Sequence, residues 1–224
     1  MGSEGPKAVT IHVTGFKKFQ GVAENPTETI VNNLMNFVQT KGLLPAGVTL
    51  GSCTVLETAG DGALPMLYEV LESGVSRTDT KNEQVIWLHL GVNSGAKKFA
   101  IERQAVNEAT FRCPDELGWQ PQILFLCLQQ HPIVADDGGI SRKQETTCSI
   151  EAILKVLKNK GYDVTISDDA GRFVCNYVYY HSLRLAKQKG HKSLFVHVPL
   201  FSRINEETQM QFVASVLGAI ASTS

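Results

Sequence analysis

Long apolar runs, clustered cysteines and an excess of charge of either sign are all missing from this chain of 224 residues. The longest purely apolar run, Ile123 to Leu128, is far shorter than the roughly 20 residues that cross a bilayer as a helix. Lysine and arginine number 21 against 22 aspartates and glutamates, so the charge does not favour binding to nucleic acid or to an anionic membrane. The composition is that of an ordinary globular protein.

Patterns that would indicate disulfides, zinc or a bound nucleotide are absent as well. There is no H-E-x-x-H and no P-loop, and residues 91–95 are too loose for a dinucleotide fingerprint. The cysteines form no C-x-x-C pair, which argues against a disulfide framework and a thiolate zinc site; they are Cys53, Cys113, Cys127, Cys148 and Cys175. We therefore expect no cofactor and no metal, and a reducing, cytoplasmic compartment in which a free thiol survives.

Strand-like and helix-like segments alternate along the chain. The strand pattern covers residues 8–14, 48–56, 85–90, 164–167 and 193–198, with a shorter extended segment at 99–106. The helical pattern covers residues 26–39, 63–71, 145–160, 173–189 and 206–222, and residues 73–83 and 113–144 are predicted to be loops or irregular pieces. This alternation predicts an α/β sandwich around a mostly parallel sheet. We expect one domain over residues 1–224, with a flexible N-terminus at 1–7.

Capping residues mark the ends of several predicted helices. Asn25 is the predicted N-cap of the first helix, with Pro26 at its first position and Glu28 as the returning carboxylate of a capping box. Asn205 is the predicted N-cap of the last helix. Gly161 is expected to end the helix over 145–160.

Cys175 is the most informative residue for chemistry. It lies where a loop containing Asp168 and Asp169 runs into the predicted helix over 173–189. A cysteine there faces the unpaired N–H groups of the first helical turn and the positive end of the helix dipole, which both favour the thiolate that attacks carbonyls. By position alone, a small core residue is the commoner explanation, and the two aspartates are equally able to cap the helix.

A cysteine nucleophile needs a base and a group that orients the base. His197 ends the last strand, and we expect a βαβ unit to bring it close to Cys175, although a strand histidine before a proline is more often structural. Two other histidines, His12 and His89, lie in strands and are predicted core residues. The remaining three are predicted on loops or helix surfaces: His131, His181 and His191.

Two further features stand out beside these residues. Glu102 is an acid embedded in a mostly apolar extended stretch, where spacing alone favours a solvent-facing acid paired with Arg103. Phe16 and Phe19 stand in a glycine-bounded loop after the first strand. Phenylalanines in such a loop should be buried against either the core or a ligand.

Four separated segments together resemble one family, pyroglutamyl peptidase I, whose members are cysteine peptidases that remove N-terminal pyroglutamate from peptides. The segments are Thr14–Gly21 with Asn25–Pro26, Gly91–Asn107, Ile166–Asn176 and Phe195–Pro199. The resemblance implies a three-layer α/β/α sandwich with a mixed, mostly parallel central sheet. It implies peptide substrates with an N-terminal pyroglutamate and a cytoplasmic enzyme. Oligomeric state varies in the family, so a monomer and a homo-oligomer both stay open.

The resemblance also implies a role for each candidate residue. Cys175 would be the nucleophile, His197 the base and Glu102 the group that holds the base. The implied substrate-binding residues, which include a transition-state arginine and a pocket asparagine, are Phe16, Phe19, Asn25, Arg112, Phe173 and Val174.

Two alternatives remain beside the peptidase. The first is a catalytically inactive relative that binds pyroglutamyl peptides. The second is a different cysteine amidase or nucleoside-type hydrolase with a similar α/β sandwich. The resemblance weakens between Ile123 and Ser149, where Arg142–Cys148 replaces a proline-containing segment of the family. That stretch is expected to alter the pocket rim or the contacts between subunits.

Overall fold

The computed structural model describes residues 8–75, 83–121, 123–124, 127–128 and 131–224, so the predicted flexible N-terminus lies outside it. The strands are β1 (Ala8–Phe16), β2 (Val48–Leu56), β3 (Glu83–Val92), β4 (Phe99–Glu102), β5 (Gln104–Val106), β6 (Ile123–Leu124), β7 (Cys127–Leu128), β8 (Lys143–Glu145), β9 (Val164–Ser167) and β10 (Lys192–Val198). The helices are α1 (Pro26–Thr40), α2 (Leu64–Val75), α3 (Ile150–Asn159), α4 (Val174–Lys189) and α5 (Glu206–Ser222), with 3-10 turns at Asp61–Ala63 and Ala135–Asp137.

The central sheet has six strands in the order β2-β1-β3-β10-β4-β9. Neighbouring strands are parallel except β10 and β4, so β4 and β9 run opposite to the other strands. β3 and β10 are buried along nearly their whole length, as expected of strands that are covered on both faces. The predicted mixed, mostly parallel sheet is confirmed.

Helices cover both faces of this sheet. Apolar side chains of α1, α3 and α5 form one buried cluster, and those of α2 and α4 form a second cluster on the opposite face. Along β3, Ile86 and Leu88 point into the first cluster while Val85 and Trp87 point into the second, because successive strand side chains alternate between faces. The predicted three-layer α/β/α fold class is confirmed. Within the described ranges, no helix is long and apolar enough to cross a membrane.

Most predicted element ends lie within a few residues of the observed ones, but the start of α3 was predicted too early. Glu145 lies in β8, which pairs with β5, and Ser149 is the N-cap of α3. Asn25 caps α1 as predicted. The predicted capping box is wrong, because the Glu28 carboxylate accepts a hydrogen bond at 3.1 Å from the backbone N–H of Lys18 and so holds the loop after β1.

Two predicted segments are divided differently in the structure. The extended segment at 99–106 is interrupted at Arg103, so β4 joins the central sheet and β5 pairs with β8 in a separate sheet. α2 continues to Val75, into the loop predicted over 73–83. The middle of that loop, 76–82, lies outside the described residues, and Glu83 already belongs to β3.

The connection from α4 to β10 is not the predicted βαβ unit. β9 and β10 are antiparallel and β4 lies between them, so no parallel crossover joins them. α4 still runs antiparallel to β10, as it would in a βαβ unit, with Ser182 contacting Ser193 near the start of the strand and Cys175 contacting His197 near its end. The start of the helix therefore meets the end of the strand.

A row of buried polar side chains crosses the α4 face of the sheet. Thr14 and Ser182 lie 2.7 Å from the two ring nitrogens of His89, and Ser182 lies 2.8 Å from the hydroxyl of Ser193. His89 is fully buried, and burial lowers its pKa to about 3. The prediction of a core histidine is confirmed.

The other histidines follow the prediction with one exception. His12 is buried in β1, and His131 is exposed. His181 was predicted on a helix surface, but it is buried because α2 packs over it and brings the hydroxyl of Tyr68 within 3.0 Å of its Nδ1. That prediction is wrong.

We expect His89 to make the fold sensitive to acid. Its pKa of about 3 in the folded protein lies below the usual value of about 6.5. The unfolded chain therefore binds a proton that the folded chain does not, and stability is lost as the pH falls below about 6.5. At about pH 5 this loss amounts to about 2 kcal/mol.

The variant His89→Gln isolates this contribution. Near neutral pH it should be less stable than the wild type, because a buried hydrogen bond is lost. Between about pH 7.5 and pH 5, however, its free energy of unfolding, measured with urea, should fall by about 2 kcal/mol less than that of the wild type. His131→Gln, at an exposed position, should lose as much as the wild type. If the wild type and His89→Gln lost equal free energies of unfolding between these pH values, His89 would not be the source of the acid sensitivity.

Candidate active site

One cavity of about 360 Å³ collects most of the side chains that the sequence singled out. Its wall includes Cys175 from α4, His197 from β10 and Glu102 from β4. These residues are distant in the chain, and the sheet order together with the packing of α4 brings them together. In the part of the chain that the structure describes, no group of three His, Cys, Asp or Glu side chains is arranged to hold a metal ion.

His197 and Glu102 form a buried pair between neighbouring strands. His197 Nδ1 lies 2.7 Å from Glu102 Oε1, and the two residues are 7% and 2% exposed. The expectation of a solvent-facing Glu102 paired with Arg103 is wrong. Arg103 is bonded to Glu151 and Asp168 on the surface instead, because adjacent residues of an extended chain point to opposite sides.

Cys175 lies on the same cavity wall as this pair and interacts with His197. Nδ1 of His197 is occupied by Glu102, which leaves Nε2 for the hydrogen bond with Cys175. Burial acts to lower the pKa of His197, but the hydrogen bonds and negative charges of Cys175 and Glu102 outweigh burial and raise that pKa well above its usual value. The imidazole is therefore protonated at neutral pH, and it lies beside a free cysteine.

The start of α4 adds to this polarity. Phe173 is the N-cap and provides no side-chain capping bond, and Cys175 is the second residue of the helix. The prediction that Asp168 or Asp169 caps the helix is therefore wrong. Asp169 instead accepts a hydrogen bond at 2.7 Å from the guanidinium of Arg172. The N-terminal end of α4 borders the cavity, and the unpaired N–H groups at the start of a helix favour negative charge.

Buried polar contacts fix α4 against the chain that follows β4. The carboxamide of the fully buried Asn176 accepts from the N–H of Val106 at 2.9 Å and donates to the carbonyls of Val106 and Glu108 at 2.8 and 3.0 Å. The hydroxyl of Tyr179 donates to the carbonyl of Glu102 at 2.9 Å. These hydrogen bonds fix the position of the helix that carries Cys175 relative to the strand that carries Glu102.

Apolar and cationic side chains line the rest of the cavity. Phe19 and Phe173 contribute aromatic walls. The ring of Phe173 packs on Phe111 at 4.6 Å between centroids, and the guanidinium of Arg112 lies 5.9 Å from the centre of the Phe173 ring. The cavity therefore combines a hydrophobic surface with a cation, and both border Cys175.

Three residues predicted for substrate binding are not among those that line this cavity. Phe16 is buried at the end of β1, and Val174 is buried in the core beneath α4. Asn25 lies behind the wall, and its amide donates to the carbonyl of Lys17 at 2.9 Å. Asn25 therefore supports the loop that carries Phe19, and none of the three adds surface to the cavity.

Several polar residues of the lining were not predicted. Asn93 and Ser94 follow β3, and Ser167 ends β9. For Asn93 and Ser94, the signal in the sequence is their position at the carboxyl end of the buried strand β3, where sites in α/β sheets collect. Arg172 was missed as well; it lines the cavity and is paired with Glu108 at 2.8 Å.

Comparison with known proteins identifies a family with which most of this chain aligns. Residues 9–217 match the pyroglutamyl peptidase family. The pyrrolidone-carboxylate peptidase of Pyrococcus furiosus is 31% identical over 189 residues, which is 84% of this chain and 79% of the relative. The corresponding protein of Klebsiella pneumoniae is 32% identical over 188 residues, 84% of this chain and 76% of the relative.

Solved structures extend the similarity to the fold. A variant of the pyrrolidone carboxyl peptidase of Pyrococcus furiosus matches with a TM-score of 0.75 at 29% identity, covering 94% of this chain and 97% of that one. The pyrrolidone carboxyl peptidase of Thermococcus litoralis matches with a TM-score of 0.73 at 25% identity, covering 94% and 92%. The chain therefore belongs to the pyroglutamyl peptidase family of cysteine omega-peptidases.

Proposed function

We propose that this protein removes N-terminal pyroglutamate (5-oxoproline) from peptides as a cysteine exopeptidase that needs no cofactor. The observation that carries the proposal is the grouping of Cys175, His197 and Glu102 on the wall of a cavity of about 360 Å³, with His197 hydrogen-bonded to Glu102 and interacting with Cys175. A thiolate beside an imidazolium cleaves an amide through an acyl-enzyme, and a carboxylate on the far ring nitrogen holds the base in place.

In the first half of the reaction the Cys175 sulphur bonds to the pyroglutamyl carbonyl carbon, and the electrons of the C=O bond move onto oxygen. The backbone N–H of Cys175 and the guanidinium of Arg112 stabilise this oxyanion, and one such donor is worth about 3–4 kcal/mol in kcat. His197 gives its proton to the amine nitrogen as the C–N bond breaks. The amine leaves and a thioester remains.

In the second half a water molecule attacks the thioester carbon while His197 takes one of its protons. The carbon–sulphur bond breaks, the thiolate of Cys175 is restored and free pyroglutamate departs with the oxygen of water. Glu102 accepts the Nδ1 hydrogen bond throughout, so the same ring nitrogen faces the reacting atoms in both halves.

The chemistry of the substrate agrees with the lining of the cavity. Pyroglutamate has no free amine, since its nitrogen lies in a neutral lactam, and so it needs no carboxylate to hold an ammonium group. The aromatic rings of Phe19 and Phe173 cover the flat lactam. Burying the lactam N–H and C=O without partners would cost about 1–3 kcal/mol each, so backbone groups complete the site. Binding roles for Phe16, Asn25 and Val174 stay predictions.

Fluorogenic amides of pyroglutamate, proline and glutamate test the proposal directly. Proline lacks the lactam carbonyl, and glutamate has a charged amine and an open side chain. We expect the pyroglutamyl amide to be cleaved at least about 100-fold faster than either, because unpaired polar groups penalise the wrong ligand. Iodoacetamide should abolish turnover, and chelators should leave it unchanged.

The alternatives give different results in the same assay. A protein that binds pyroglutamyl peptides but turns none of them over would be the inactive relative. Cleavage of simple amides or nucleosides, with none of the pyroglutamyl amide, would identify another cysteine hydrolase on the same sandwich.

We place the protein in the cytoplasm on the ground that Cys175 is a free thiol and reducing compartments preserve thiols. One domain over residues 1–224, and the choice between a monomer and a homo-oligomer, stay predictions. Sedimentation of the purified protein measures the latter.

A further inference from the structure

Gly91 is the penultimate residue of β3, and its backbone lies close to the sulphur of Cys175. A Cβ atom built on Gly91 would lie 2.9 Å from Cys175 Sγ and 2.6 Å from the nearest ring atom of Phe195. Optimal contacts between non-bonded carbon atoms lie at about 3.5–4.0 Å. The sulphur therefore occupies space that any side chain at position 91 would take.

The position of Gly91 in the sheet explains this contact. Gly91 is the register partner of His197 on the neighbouring strand. Two residues earlier in β3, the side chain of His89 points to the α4 face and contacts Ser182. Strand side chains at positions two apart share a face, so a side chain at position 91 would also point at α4.

The spacing along α4 completes the geometry. Cys175 and Ser182 are seven residues apart, close to two helical turns, and so lie on one face of the helix. Beneath Ser182, β3 supplies the ring of His89. At the position facing Cys175, β3 has Gly91, which has no side chain. The sulphur therefore approaches the strand closely enough to interact with the ring of His197.

We propose that Gly91 is a positioning residue for the nucleophile. Because position 91 has no side chain, Cys175 Sγ occupies the space beside the strand, within hydrogen-bond reach of His197. A methyl group there displaces the sulphur from the base by several tenths of an ångström or pushes Phe195 against the ring of His197, 4.9 Å away between centroids. Misplacement of a reacting group by about 1 Å costs on the order of 100-fold in rate.

The test compares Gly91→Ala with Gly51→Ala. Gly51 is a matched control, because it also lies in a strand of the central sheet and an added Cβ would come within 2.5 Å of the ring of His12, away from the cavity. In Gly91→Ala, kcat for the pyroglutamyl amide should fall by about 10- to 100-fold with KM little changed. Gly51→Ala should keep the kcat of the wild type at a temperature where it is folded.

A second measurement does not depend on the substrate. The rate of Cys175 alkylation by iodoacetamide, followed by mass spectrometry, should fall about tenfold near neutral pH in Gly91→Ala, because the methyl group holds the sulphur farther from His197. Gly51→Ala should alkylate Cys175 at the rate of the wild type.

The kinetic arm rests on the proposed function, and the alkylation arm does not. If the wild type cleaved no pyroglutamyl amide, the proposed function would fail while the alkylation comparison still decided the role of Gly91. Unchanged kcat and unchanged alkylation in folded Gly91→Ala would overturn the inference, as would a change confined to KM.

A double variant covers the case in which Gly91→Ala does not fold. Phe195→Leu removes the ring atoms nearest to the new methyl group, so Gly91→Ala/Phe195→Leu is compared with Phe195→Leu alone. The double variant should alkylate about tenfold more slowly than the single one. Equal rates in the two proteins would show that the methyl group clashes only with Phe195 and would also overturn the inference.

Discussion

Replacing Cys175 by alanine should lower kcat/KM for a pyroglutamyl amide by about 10⁵-fold or more, to the limit of detection. The side chain forms the covalent bond to the substrate in the proposed reaction, and alanine has no atom that can form this bond. The fold should survive, because alanine fits the space of a cysteine. Initial rates with the fluorogenic amide, and unfolding curves of both proteins, measure the two effects.

Cys53→Ala is the matched control for this variant. Cys53 lies in β2, away from the cavity, and burial raises the pKa of its thiol to about 11. It should therefore resist alkylation at neutral pH, and its loss should leave turnover unchanged. Turnover by Cys175→Ala within tenfold of the wild type would refute the nucleophile assignment.

Replacing Glu102 by glutamine should lower kcat/KM near pH 7 by about 10²- to 10⁴-fold and move the alkaline limb of the pH profile to lower pH. Against the effect of burial, the hydrogen bonds and charges of Cys175 and Glu102 raise the pKa of His197 in the folded protein. The proton is therefore held through neutral pH and lost only as the pH rises through that raised value. Glutamine has no charge, so the pKa of His197 falls and the proton is lost earlier.

Profiles of kcat/KM from about pH 5 to pH 10 resolve this shift. Asp168→Asn is the control, because Asp168 is a surface acid bonded to Arg103 rather than to His197. Its alkaline limb should coincide with that of the wild type. An unmoved limb in Glu102→Gln would mean that this carboxylate does not set the protonation of His197.

The sequence was a good guide wherever local pattern decides structure. Asn25 and Asn205 cap the helices that their positions predicted, because capping depends on a few neighbouring residues. β2 and β9 have the predicted bounds, since apolar, β-branched runs bounded by turns depend little on distant partners. The place of Cys175 at the start of a helix was readable for the same reason.

Features that depend on contacts between segments distant in the chain could not be predicted from the sequence. Glu102 was assigned to the surface on spacing, but its surroundings are set by β10, whose residue His197 lies 95 positions later. His197 was expected near Cys175 in a βαβ unit, and the two do meet, but β9 runs antiparallel to β10, so only the α4–β10 half of that unit is present. Gly91 has no local signal at all, because its role is defined by atoms of two other elements.

The order of the strands has a consequence for how the protein is made. β10 lies in the middle of the sheet, between β3 and β4, although it is the last of the sheet strands in the chain. Until it emerges from the ribosome, the earlier strands can form at most two half-sheets, β2-β1-β3 and β4-β9, with open edges, which are templates for pairing with other chains. The strand that joins the halves also carries His197. A growing chain therefore holds a cysteine without its base, and peptide cleavage begins only when the last strand has closed the sheet.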